Sequence, residues 1–190
     1  NLIKRHKVCF VAGALLARMP QYSSSYSFAS YGALASIDVT DKFFSNLSPN
    51  VIKNIYFRSY PIERLSGVAK YNYEEVIQNK FKFKYIDSSN IDSKEIMLTS
   101  EIVVTNYIST THLETLSMNI PTIILIDKNS YHMSDSYSSF LDDLKMAGIL
   151  QTCPEKAAVF LESIYDSINS WWLNEEVQLA RRKFLSKNFG

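Results

Sequence analysis

The chain has 190 residues, 46% apolar and 13% aromatic, and 20 basic against 19 acidic side chains leave a net charge of +1. That composition suits one folded domain with a sizeable core and argues against disorder. Nothing in the balanced charge implies a nucleic-acid surface, which would want a basic excess on one face, and the longest apolar run, Val8 to Ala17, is well short of the ~20 residues that span a bilayer.

Lys4-Arg5-His6-Lys7 ahead of that run mimics the first two parts of a signal peptide. Lys7 to Ala14 reads better as a first buried parallel strand. The chain begins at Asn1 and not at Met, so it reads as a fragment of something longer. Leu15 to Ser36, rich in Ser, Tyr and Gly, reads as a long loop. Asp38 to Leu47 sets Val39, Phe43, Phe44 and Leu47 at helical spacing, with Asp38 or Thr40 as the cap. Asn54 to Arg58 is a short strand, and the following Ser59-Tyr60-Pro61 biases Tyr60 towards an extended form. Tyr71 to Asn79 reads as a helix, Lys82 to Ile86 as a strand and Asp92 to Thr99 as a short helix.

Glu101 to Ile126 is the most informative stretch. A buried strand, Ile102 to Thr105, runs into the polar turn Asn106-Tyr107-Ile108-Ser109-Thr110-Thr111. A helix follows, with Leu113, Leu116 and Met118 inward, and Pro121 restarts a buried strand over Thr122 to Ile126. Further on, Ser134 to Met146 is an amphipathic helix, and Gly148 suits its left-handed cap. Pro154 opens a helix over Glu155 to Ser167. The last helix, Asn174 to Lys187, sets Val177, Ala180 and Phe184 on one face. Strands alternating with helices predict an α/β, three-layer Rossmann-like domain whose mainly parallel sheet has about five to six strands, with a helical carboxyl-terminal extension. The domain would run over residues 1–168 and the extension over 169–190.

The first turn of a helix carries free N–H groups and the positive end of a dipole. Ser109, Thr110 and Thr111 therefore make a seat for a phosphate, and Glu114 stands ready to accept bonds from ribose hydroxyls. The competing structural reading is strong, because Thr111-His112-Leu113-Glu114 has the form of a capping box. Asn106 favours the functional reading, since a polar turn after a parallel strand lies where open α/β sheets bind ligands. Arg58 ends a strand at the same edge and has a fork suited to phosphate oxygens; the alternative is a surface ion pair. Arg18, in the loop after the first strand, has a weaker form of the same case.

His6, His112 and His132 stand at no metal-ligand spacing, and nothing in the sequence asks for a metal or a cofactor. His132, beyond the 122–126 strand, falls at the same sheet edge and suits a ligand contact. His112 reads as a solvated helix position or as one facing the site. No Gly-rich dinucleotide fingerprint, P-loop or nucleophile elbow is present, and five glycines are few for a Rossmann dinucleotide site. Trp171-Trp172 reads as core before it reads as a sugar platform. Arg181-Arg182-Lys183 suits a helix end and a solvated face, with membrane-surface attachment as the minor alternative. Cys9 and Cys153 read as reduced and buried.

With these residues laid out, the chain resembles the C-terminal half of a family of bacterial transferases of surface-carbohydrate biosynthesis. The matching features are Arg58-Ser59-Tyr60-Pro61, Val103-Val104 through Ser109-Thr110-Thr111 and Leu113-Glu114, and Ile120-Pro121-Thr122-Ile123. Phe140, Leu144 and Ala147-Gly148-Ile149 follow, then Trp171-Trp172, Val177-Gln178, Ala180-Arg181 and Phe184. The likeness spans roughly residues 40 to 189; the first forty depart most, and the Ser/Tyr loop has no clear match. Those proteins look like GT-B glycosyltransferases, two Rossmann-like halves facing across a cleft. The resemblance implies a nucleotide-sugar donor held by this half, with its phosphates near Ser109 to Thr111 and Arg58, and with Glu114 on ribose or the sugar. It implies a carbohydrate or lipid-linked acceptor, a missing N-terminal half in the same parent chain, and a cytoplasmic setting at the inner face of the membrane. No catalytic base is identified. A nucleotide-sugar epimerase of the same architecture is the first alternative; it would need a general acid or base such as His132 or His112. A non-catalytic interaction domain is the second.

Overall fold

The computed structural model describes residues 6–13, 30–58, 77, 79–85, 92–107, 110–126 and 135–189. Six strands form one sheet: β1 (His6–Val11), β2 (Ile55–Arg58), β3 (Lys84–Tyr85), β4 (Ser100–Thr105), β5 (Thr122–Leu125) and β6 (Leu150–Gln151). They lie in the order β3-β2-β1-β4-β5-β6, and every pairing is parallel. The order reverses between β1 and β4, the signature of a doubly wound Rossmann-like sheet. The expected α/β class and strand number hold. β6 has no counterpart in the sequence reading, because two residues are too few to show a period.

The described helices are α1 (Ser30–Ser45), α2 (Pro49–Ile52), α3 (Ser93–Leu98), α4 (Thr110–Ser117), α5 (Asp135–Met146), α6 (Pro154–Ile164), α7 (Ile168–Trp172) and α8 (Glu175–Phe189). Residues alternate between the two faces of each strand. Val8, Phe10, Ile55, Phe57, Ile102, Val104, Ile123 and Leu125 face a layer formed by α1, α2 and α6. Phe10, Phe43, Phe44 and Phe57 are wholly buried there, and Phe10 stacks on Phe57 with centroids 5.6 Å apart. Each such ring contributes about 2–3 kcal/mol by leaving water, so this layer carries much of the stability. On the other face Cys9, Val11 and Val103 meet Ile96 and Met97 of α3. Ile124 and Ile126 meet Leu116 of α4 and Leu144 of α5. Val177, Ala180 and Phe184 of α8 join that cluster, on the single face their spacing predicts.

Three expectations are corrected. Helix α1 starts at Ser30, so the part of the predicted loop over 30–36 is helical; residues 14–29, with Arg18, lie outside the described residues. Ala33, Leu34 and Ala35 are strong helix formers and outweigh Gly32 and the serines. Asp38 and Thr40 consequently sit inside the helix and cap nothing: Thr40 donates to the Ser36 carbonyl at 2.8 Å, and Asp38 pairs with Lys42. Cys153 is half-buried at the start of α6, whereas Cys9 is buried; both are free thiols. Burial pushes the Cys9 thiol up to about 12, which keeps it unreactive.

Gly148 ends α5 as predicted, at φ +77°. The Gly148 N–H donates to the Lys145 carbonyl at 3.0 Å and the Ile149 N–H to the Leu144 carbonyl at 2.9 Å, a Schellman motif. A β-carbon at this glycine would lie 2.5 Å from Cζ of Phe160. Gly148→Ala is therefore expected to lower stability by about 2 kcal/mol, combining left-handed strain with a displaced ring. Urea denaturation checks this, and Phe160→Leu in the same chain should recover part of the loss.

Candidate functional site

Doubly wound sheets bind ligands in a crevice at the carboxyl edge where the strand order reverses, here between β1 and β4. Asn106, the first residue past β4, bridges it. Its Oδ1 accepts the Gly13 N–H at 2.8 Å, and its Nδ2 donates to the Thr40 hydroxyl at 2.9 Å and the Ser36 hydroxyl at 3.2 Å. The Gly13 N–H can only donate, which fixes the orientation of the amide. Asn106 is 6% exposed, and its polar atoms are spent on joining β1, β4 and α1.

Gly13 also lets the chains approach closely. A β-carbon there would lie 2.9 Å from Cγ of Tyr107. The Tyr107 hydroxyl in turn lies 2.8 Å from the Thr111 hydroxyl, in the first turn of α4. The ends of β1 and β4 and the start of α4 thus form one hydrogen-bonded unit. Helix α4 begins at Thr110, so Thr111 lies inside the first turn and the predicted Thr111-to-Glu114 capping box has shifted out of register. Thr110 and Glu114 are exposed on this helix, and Thr111 is half-buried. Ser109 and His132, like Ser59-Tyr60-Pro61, lie outside the described residues.

Arg58 closes β2 opposite Val11 of β1. Alternation turns it to the face that carries Cys9, Tyr56, Tyr107 and α4. Its charge acts on the Cys9 thiol, though burial dominates there. Arg58 is 9% exposed, and its Nε has no hydrogen-bond partner. A buried guanidinium with an unused donor is costly, because desolvation is not offset. Two strand spacings, about 10 Å, separate β2 from β4, so Arg58 and the α4 first turn flank the end of β1.

His112 departs from both readings made of it. It is 5% exposed, packed 6.1 Å from the Phe184 ring of α8, and burial lowers its pKa to about 4. The sequence reading also passed over Gly13, Ser36, Thr40 and Tyr107. The available signal was Gly13 directly after an apolar strand, the place where backbones approach closely. Among the described residues no group of three or more His, Cys, Asp or Glu side chains could hold a metal ion. A separate cavity of about 650 Å³, lined by Met146, Phe160, Trp171 and Leu179, lies beside the start of β6 and so at the amino edge.

A doubly wound parallel sheet covered by helices on both faces defines a Rossmann-like α/β domain. The chain belongs to the LIC12162 family transferases, whose model matches residues 3–189. No match is found among curated proteins. Among solved structures the chain is similar to one described as the wall teichoic acid polymerase TagF, at 16% identity and a TM-score of 0.41. That alignment covers 100% of this chain and 46% of the polymerase chain. A histidine-to-asparagine variant of the same polymerase with CDPG matches at 15% identity and a TM-score of 0.41, over 100% of this chain and 45% of the other. The chain thus spans less than half of the structures it matches.

Proposed function

We propose that this chain is the donor-binding half of a glycosyltransferase, holding a nucleotide sugar at the carboxyl edge of the sheet. Membership of a transferase family supports the reaction class. The observation that carries the site is Arg58: a nearly buried guanidinium with an unpartnered Nε, on the same face and at the same edge as the first turn of α4. A diphosphate between them would satisfy that donor and meet the helix-start N–H groups. Ser109, Thr110 and Thr111 would add hydroxyls, Glu114 would accept from ribose or the sugar, and His132 would contact the ligand. Asn106 positions the crevice without touching the donor. Charge building on the departing nucleotide would be stabilised electrostatically by these fixed groups.

The acceptor would be a carbohydrate or a lipid-linked carbohydrate bound by a partner half in the same parent chain, in surface polysaccharide synthesis at the inner membrane face. Residues 169–190 would serve as the helical extension of domain 1–168. No helix among the described residues is long and apolar enough to cross a membrane, so any membrane contact made by them would be peripheral. The epimerase reading is weakened, since a buried His112 held near pKa 4 is withdrawn from acid–base work.

A thermal-shift screen of nucleotides and nucleotide sugars identifies the ligand, because a ligand that binds only the folded state raises stability. With that ligand, Arg58→Gln and the pair Thr110→Ala, Thr111→Ala are each expected to weaken binding more than tenfold, about 1.4 kcal/mol, with the fold retained. Calorimetry showing wild-type affinity in both variants would sink the donor-site reading.

A further inference from the structure

Helix α4 is gripped at the end remote from its first turn. Asn119, at φ 56°, terminates it through bonds from the Asn119 N–H to the Leu116 carbonyl at 3.1 Å and from the Ile120 N–H to the Thr115 carbonyl at 2.9 Å. The tail then attaches to this terminus. Trp172 Nε1 donates to the Asn119 carbonyl at 3.1 Å and to its Oδ1 at 3.0 Å. Arg181 Nη1 donates to the Leu116 carbonyl at 2.7 Å. Gln178 joins the two: its Nε2 donates to the Trp172 carbonyl at 2.7 Å, and its Oε1 accepts from Arg181 Nε at 3.1 Å. Trp172 is 2% exposed and Gln178 9%, so the circuit is largely shielded from water. The guanidinium also meets the negative end of the helix dipole. In the first turn of α4, His112 packs on Phe184 of the same tail.

In a parallel sheet the carboxyl end of α4 lies at the amino edge, opposite the proposed phosphate seat. An eight-residue helix is about 12 Å long and moves as a rigid rod, so its far end sets the tilt of its near end. We propose that α7 and α8 form a positioning clamp for α4, with Trp172 and Arg181 as positioning residues for the helix turn that meets the donor phosphates. This rests on the phosphate-seat reading above. Trp172 and Arg181 themselves touch only the far end of the helix and act through its placement.

The test uses the 190-residue chain, pyrophosphate as probe, calorimetry, and amide exchange over residues 110–117. Arg181→Gln is expected to weaken pyrophosphate binding fivefold or more and to speed exchange in α4. Trp172→Phe, which removes the indole donor and keeps most of the ring volume, should act in the same direction and serves if Arg181→Gln does not fold. Val177→Ala removes buried carbon from the same α8 interface with the hydrogen bonds intact, and should stay within twofold of wild type in affinity. Wild-type affinity in the folded clamp variants, or an equal loss in Val177→Ala, overturns the clamp. Should the unmodified chain fail to bind pyrophosphate, the phosphate-seat reading fails. The clamp is then decided by exchange alone: faster exchange over 110–117 in a clamp variant supports it, and unchanged protection overturns it.

Discussion

Asn106→Leu is expected to lower the unfolding free energy by about 3 kcal/mol. The substitution keeps the branched shape but adds bulk, so the loss would come mainly from polar groups left without partners and in part from crowding. The Gly13 N–H would lose its acceptor, and the Thr40 and Ser36 hydroxyls would lose the donor they share. Thr40→Val removes one of these bonds, together with the bond that Thr40 donates to the Ser36 carbonyl, and should cost about 1–2 kcal/mol. Combined with Asn106→Leu it should add less than that, because the shared bond is already gone. Asn106→Asp separates the two roles of the amide. It keeps the acceptor for Gly13, loses both donors and buries a carboxylate, so its penalty should grow as the pH rises and the carboxylate ionises. Urea titrations of the four variants measure all of this. A loss under 1 kcal/mol in Asn106→Leu would mean that the crevice is not held by this residue.

The second large effect is a dependence on pH. Burial places the His112 pKa at about 4 in the folded chain, below the ordinary value of 6.5. The unfolded chain therefore takes up the proton first, and protonation favours unfolding. The contribution is complete above about pH 6.5 and is lost as pH falls through the window down to about 4. At pH 5 the folded chain should be less stable than at pH 7.5 by about 2 kcal/mol from this group alone. His112→Gln lacks the titration, so the difference between wild type and variant across the window isolates it. Equal pH slopes in the two proteins would refute the assignment. Since His112 packs on Phe184, acid should also loosen the contact between α4 and α8 before the sheet opens.

The order of layers was legible in the chain because parallel strands buried on both faces read as nearly continuous apolar runs, and β1, β4 and β5 are such runs. Gly148 and Pro154 were legible too, since left-handed caps and first helical turns demand those residues. The helix over 30–37 was not, because serine and glycine suggest a loop unless alanine and tertiary packing outweigh them. For the crevice, sequence placed Asn106 and Arg58 at the carboxyl edge but did not reveal the protein groups that Asn106 holds. Its bonds run to Gly13, Ser36 and Thr40, between 66 and 93 residues away along the chain. Such distances in sequence leave no local pattern. His112 was misjudged for the same reason: the residue that covers it, Phe184, lies on α8, far along the chain.

The two tryptophans are the only ones in the chain. Each directs its indole N–H at the end of a different helix, Trp171 to the Ala147 carbonyl at 3.0 Å beyond α5 and Trp172 to Asn119 beyond α4. All indole emission from this protein therefore originates at those two joints. A red shift in fluorescence would register detachment of the tail while far-ultraviolet dichroism still reported an intact sheet, giving an optical gauge of docking that requires no label.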